Sequence, residues 1–152
     1  LIVCTESKAK ELNIEPLGFV NDYAYAGLDA NRMGLGPIYA TKKLFDRTKT
    51  KLEDLDLIEI NEAFAAQVIA NLEAFKSNDF CKKAFGSKAI GQIDESILNV
   101  NGGAIALGHP VGMSGARIVL TALKELKRRN KKKALASLCV GGGQGASFLL
   151  EV

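Results

Sequence analysis

Two apolar runs, Ala134 to Val140 and Ala146 to Val152, are separated only by Gly141-Gly-Gly-Gln-Gly145. So tight a connection permits antiparallel pairing and excludes the long crossover that parallel strands need. Upstream, short apolar runs alternate with helical patterns instead. Pro16 to Tyr25 reads as a strand, and Ile38 to Thr48 as a helix opened by Gly34-Leu-Gly-Pro37, with proline near the first turn. Leu55 to Ile60 is a second strand. From Asn61 a helix follows, with Phe64, Val68, Leu72 and Phe75 at helical spacing and Ala65, Ala66 and Ile69 widening a buried apolar face. Ile97 to Val100 is a third strand, and Ala116, Val119, Leu120, Leu123 and Leu126 mark an amphipathic helix. This order, strand-helix three times and then two strands, argues for an α/β sheet with helices on both faces. Leu1-Ile-Val-Cys4 reads as an additional strand, Ser7 to Asn13 as helix-compatible, and Lys76 to Ser96 as a helical turn plus an exposed excursion.

A chain of 152 residues with 47% hydrophobic content can close one core. Its apolar runs fall well short of the ~18 residues a spanning helix needs, and no basic-then-apolar leader is visible, so no membrane partner is expected. Because the first residue is Leu1 rather than Met, a fragment or processed product is expected. Three scattered cysteines, Cys4, Cys81 and Cys139, suggest neither a disulfide framework nor a metal site, and a reducing compartment follows: the cytoplasm, with an organelle as the alternative. With one histidine and dispersed cysteines, no metal is implied. The net charge of +3 is mild, and the basic cluster Lys127 to Lys133 ends a helical pattern, where cations favour the helix dipole. No aromatic residues interleave with it, so no nucleic-acid partner is expected.

The only histidine, His109, lies in Asn99-Val-Asn-Gly-Gly-Ala-Ile-Ala-Leu-Gly-His-Pro-Val-Gly-Met-Ser-Gly-Ala-Arg117. Glycine before it lets backbone approach a ligand, and proline after it limits its freedom. His109 is therefore expected to be presented rather than packed, the plain alternative being an ordinary surface or core histidine. In α/β sheets ligands bind beyond the carboxyl ends of strands. Asn61, His109 and Cys139 through Gly141 all fall at or beyond such ends. For Asn61 and Glu62 the simpler reading is a helix N-cap and an acidic first-turn residue. A thiol, an imidazole, a carboxamide and the free N–H groups of a glycine run are nonetheless parts for acyl chemistry at a thioester or ketone.

Three blocks carry a resemblance: Asn61-Glu-Ala-Phe64, the Asn99 to Arg117 stretch, and Cys139-Val-Gly-Gly-Gly-Gln-Gly145. In that order they resemble the signature blocks of the thiolase C-terminal domain, acetyl-CoA acetyltransferases and 3-ketoacyl-CoA thiolases alike. The resemblance implies a three-layer α-β-α fold with a mixed five-stranded sheet whose last strand is antiparallel. Residues 1–15 would then be the end of an N-terminal thiolase half and its connector, and 16–152 the C-terminal domain. It implies a reversible Claisen reaction on acyl-coenzyme A, with coenzyme A as substrate and no cofactor, and a homo-oligomer, dimer or tetramer, when full length. Asn61 would hold a water that helps bind an oxyanion, and Ala63 and Phe64 would lie beside the pantetheine arm. His109 would donate to the thioester oxygen and support activation of the nucleophile, Cys139 would shuttle protons, and the Gly141 N–H would complete a second oxyanion hole.

The family's acyl-accepting cysteine belongs to the other half. Cys4, in the leader, and Cys81, in the polar excursion, stand outside the matching blocks and read as a small hydrophobe and an incidental residue. The chain alone is thus expected to lack the nucleophile, its partner being the missing N-terminal half. A non-catalytic interaction or carrier domain with this shape is the alternative, against which stands the presence of Asn61, His109 and Cys139 together. A dinucleotide site at Gly141-x-Gly143-x-x-Ala146 would need a helix opening at the glycines, and Gly103-x-x-x-x-Gly108 lacks the Lys-Ser/Thr of a P-loop. Ketosynthase-like relatives place histidine where Cys139 stands.

Overall fold

The computed structural model describes residues 1–152. Its sheet is built around the hairpin of β3 (Lys133–Val140) and β4 (Gln144–Glu151), antiparallel as the short connection requires. β1 (Phe19–Gly27) pairs antiparallel with the far edge of β4, and β2 (Leu57–Ile60) pairs parallel with β3, giving the order β1-β4-β3-β2. Helix α2 (Gly36–Thr48) covers one face, where Ile38, Leu44 and Phe45 meet Ala24, Ile58, Ile60, Leu135 and Leu149. Helix α6 (Ser114–Arg129) covers the other, where Ile118, Ala122, Leu123 and Leu126 meet Leu57, Ala134, Ala136 and Leu150. Alternate residues of each strand serve the two faces, as the period of two demands.

The expected fifth strand is absent, and the sheet has four. Ile97 ends a 3-10 turn (Glu95–Ile97), and Leu98 makes one isolated parallel bridge with Ile58. Asn99 then adopts φ +46°, a left-handed backbone that cannot continue a strand. Its N–H still reaches Ile58 O at 2.8 Å. Its side chain bonds both the N–H and the carbonyl of Ile60, each at 2.9 Å. One amide side chain thus does for Ile60 what the next strand residue would have done. The leader Leu1–Cys4 is likewise no strand: with no ladder partner in the chain, Ile2 and Val3 are exposed. A six-residue helix, α1 (Glu6–Glu11), follows.

Helix α3 begins at Ala65, not Asn61, and runs to Lys76. Its buried side differs from the apolar face anticipated above. Gln67, Asn71, Ala74 and Phe75 are buried, whereas Phe64, Ala65, Ala66 and Ile69 are exposed. Asn71 sets this rotation: its Oδ1 accepts from Ile38 N at 3.1 Å and its Nδ2 donates to Gly34 O at 2.7 Å. Satisfying those buried backbone groups at the start of α2 outweighs turning every apolar side chain inward. The region after α3 is also less exposed than its polarity suggested. Helix α4 (Asn78–Phe85) buries Cys81 completely and packs Phe80 and Phe85 edge-on against Tyr39. Cys81 is therefore a core residue.

Candidate functional site

Because β2 and β3 are parallel, their carboxyl ends open on the same rim, and both Asn61 and Cys139 stand at it. Asn61 prolongs the pairing of β2 by one bond, its N–H reaching Ser137 O at 2.9 Å, two residues before Cys139. It does not cap α3; its side chain is 1% exposed and turned towards the histidine loop. The four-residue helix α5 (Ala104–Leu107) ends in Gly108, whose φ of +98° swings the chain so that His109 meets Asn61. Asn61 Nδ2 lies 3.4 Å from His109 Nε2, and His109 Nδ1 lies 2.6 Å from the hydroxyl of Ser114.

The direction of these bonds follows from Ser114. That fully buried hydroxyl donates to Pro110 O at 3.2 Å, so towards the imidazole it acts as acceptor and Nδ1 carries the proton. In that tautomer the lone pair is on Nε2, facing the Asn61 amide. An Nε2 so placed can take a proton, and once protonated can donate one. Asn61 Oδ1, meanwhile, is buried without a hydrogen-bond partner.

Cys139, the penultimate residue of β3, is 9% exposed, and burial pushes its thiol above the ordinary range. It makes no hydrogen bond to Asn61 or His109. Gly141 is exposed at the hairpin tip, Ala63 is half-buried, and Phe64 is exposed beside Asn61. The next residue after the glycines starts β4 rather than a helix, which removes the dinucleotide reading. Two residues of the site had no role assigned from the sequence: Ser114, which orients the ring, and Asn99, which closes the end of β2; Glu62, expected in the first turn of a helix, lies ahead of α3 instead and bonds both Asn99 and the N–H of Ile105. A hydroxyl at the first turn of α6, five residues after the histidine, was the available signal for Ser114.

Beneath the rim, β2 turns Glu59 towards α6. Burial raises its carboxyl to about 7; Arg117 pulls it down, and Glu62 and Glu125 push it up. Glu125 is displaced the other way, to about 2, by its bonds to Arg128, Asn101 and Arg129, against its burial. These shifts act in separate windows. The stability due to Glu125 is complete above about 4.5 and is lost as pH falls through about 2. That due to Glu59 is complete below about 4.5 and is lost as pH rises through about 7, an effect of about 3 kcal/mol. Glu59→Gln is therefore expected to flatten the fall in urea-unfolding free energy between those two values; an undiminished slope there would show that Glu59 is not its source.

Known proteins share this fold. Residues 14–152 match the model of the thiolase C-terminal domain. The chain belongs to the thiolase family. It is 46% identical to the 3-ketoacyl-CoA thiolase of Aliivibrio fischeri (strain ATCC 700601 / ES114), a match covering 100% of this chain and 35% of that protein. It is 47% identical to the acetyl-CoA acetyltransferase of Cupriavidus necator, covering 99% of this chain and 34% of that one. Among solved structures, the Bacillus anthracis acetyl-CoA acetyltransferase superposes with a TM-score of 0.80 at 43% identity, over 97% of this chain and 33% of its own. Human mitochondrial 3-ketoacyl-CoA thiolase in complex with CoA gives 0.79 at 39%, over 96% and 33%. This thiolase domain thus spans about a third of the length of the curated relatives it matches.

Proposed function

We propose that this chain is the C-terminal part of an acyl-CoA acyltransferase that catalyses reversible Claisen condensation and thiolysis of 3-ketoacyl-CoA. The observation that carries the reading is the array Ser114–His109–Asn61 beside Cys139 on one rim. With Nδ1 bonded to Ser114, His109 Nε2 takes the proton of an incoming thiol nucleophile and then, as N–H, donates to the thioester oxygen as negative charge develops there. Asn61 would hold a water in the same oxyanion site, as the resemblance to the family implies. Cys139, kept as a thiol by burial, gives its proton to the departing carbanion or thiolate. For condensation it must act as thiolate, which requires stabilisation from the rest of the completed site. The exposed Gly141 N–H completes a second oxyanion hole, and Ala63 and exposed Phe64 flank the pantetheine arm.

The thiol that carries the acyl group lies outside residues 1–152, since Cys81 is sealed in the core and Cys4 stands on the unpaired leader. We assign it to an N-terminal half that continues into residues 1–15, residues 16–152 forming the C-terminal domain. Phe64, Ile69, Ile105, Leu107, Val111 and Met113, all exposed, flank Asn61 and His109 along the chain. Apolar side chains gathered so closely about a site indicate cover by another surface, here the missing half and the bound acyl-CoA. The full-length protein would form a homo-oligomer.

The expected result is that the 152-residue chain does not thiolyse acetoacetyl-CoA, and that adding the N-terminal portion of its parent restores turnover. Turnover by the chain alone would place the nucleophile within it. Failure of the reconstituted pair on acetoacetyl- and longer 3-ketoacyl-CoA would remove the acyl-transfer reading and leave the non-catalytic one.

A further inference from the structure

Asn61 and His109 belong to segments 48 residues apart, and their mutual hydrogen bond is long. Something else must hold them in register, and the residue after Asn61 is placed to do it. Glu62 Oε1 accepts from Asn99 Nδ2 at 3.0 Å, and Glu62 Oε2 accepts from the Ile105 N–H at 3.1 Å. The first contact reaches the amide that closes β2 through both backbone groups of Ile60. The second reaches the first turn of α5, whose other end is Leu107-Gly108-His109. The fit is close: a Cβ on Gly103 would lie 2.1 Å from the Glu62 carboxyl carbon, so any larger residue there would push the carboxylate off this seat. Both oxygens are needed as acceptors, because both partners are N–H donors. The same carboxylate helps push up that of buried Glu59.

We propose that Glu62 is a positioning residue, its carboxylate clamping α5 onto the end of β2 so that His109 Nε2 is held against Asn61. It acts through that pair and touches neither substrate nor reacting atoms. The inference rests on the acyl-transfer reading for its effect on turnover, but the clamp itself is a statement about His109 geometry.

Glu62→Gln keeps the size and one acceptor while opposing a donor to one of the two N–H groups. In the full-length parent it is expected to lower kcat for acetoacetyl-CoA thiolysis about 100-fold, the scale of a misplaced catalytic group, with KM changed less than about threefold. Glu62→Asp, which keeps the charge but not the reach, is read in the same way, so that loss of fold in one variant does not remove the test. A merely structural role is separated by a double-mutant cycle. Placed on His109→Ala, Glu62→Gln should cost little more, because the group it positions is gone. A second readout is independent of activity: as the only histidine, His109 gives one set of ring 15N signals in the 152-residue chain, and these should shift towards those of a free imidazole in Glu62→Gln. Unmoved ring signals, unchanged kcat in both variants, or an undiminished loss on the His109→Ala background would each overturn the proposal. Shifted ring signals in a parent whose turnover is indifferent to His109→Ala would leave the clamp standing and overturn the acyl-transfer reading instead.

Discussion

His109→Ala in the full-length parent is expected to lower thiolysis turnover by about 10³-fold or more while lowering the melting temperature by no more than about 4–8 °C. Two roles vanish together. Loss of an oxyanion donor costs on the order of 10²–10³, and loss of a positioned general base on the order of 10²–10⁴. The two are not additive, because one ring performs both. Stability is spared because the ring is exposed and its hydrogen bonds are those to Ser114 and Asn61. Each such bond contributes about 1 kcal/mol. Steady-state kinetics alongside thermal unfolding makes the comparison. Near-normal turnover would refute the role, and a collapse of stability would show that the ring holds the loop rather than the chemistry.

Gly145→Ala is expected to have the largest effect on folding. A Cβ there would lie 2.0 Å from Gly36 O, and one on Gly36 would lie 2.4 Å from Gln144 O. Backbone meets backbone at this point, where the first turn of α2 rests on the start of β4, so no flexible side chain can yield. The helix must lift from the sheet, disturbing Ile38 and Leu44 beneath it. Overpacking of this kind costs about 3 kcal/mol or more. For a domain of this size that is a fall of about 6–12 °C in melting temperature. Gly115→Ala is the control. It lies in α6 with nothing within 4 Å of the added atom, and alanine in a helix is favoured over glycine by about 0.5–1 kcal/mol. Equal melting temperatures for the two variants would show that the α2–β4 approach can relax.

Much of this architecture was legible because it follows from local patterns. The β3–β4 hairpin came from a connection too short for any other pairing. Strand β2, helix α2 and helix α6 came from periodicity and from Gly-Pro punctuation. His109 stood out through its glycine and proline neighbours, and it is exposed in the structure. The misreadings share a cause. At Ile97 to Val100 the apolar run satisfied a strand pattern, but a left-handed Asn99 ended it, and nothing in a single sequence distinguishes an asparagine in that conformation from one in a turn or cap. In α3 the apolar stripe was real, yet Asn71 had backbone partners 33 and 37 residues away. Polar satisfaction at that distance turned Phe64 to Ala66 and Ile69 outward, while Leu72 and Phe75 still pack on the core. Leu1–Cys4 has β propensity but no partner, and a strand is defined by the pairing.

From the order of its residues alone, this chain had to form an α/β layer closed by an antiparallel hairpin, with an amide and a thiol at strand ends and an imidazole on a glycine-bracketed loop. Those outcomes depend on turn length, periodicity and the chemistry of each side chain, all of which are local. Only the tertiary structure decided that Asn61 and His109 meet, that Ser114 fixes the proton on Nδ1, and that Glu62 clasps the loop between them. These depend on contacts between segments tens of residues apart. Their geometry comes from which buried polar groups find partners and which backbones pass closely enough to need glycine.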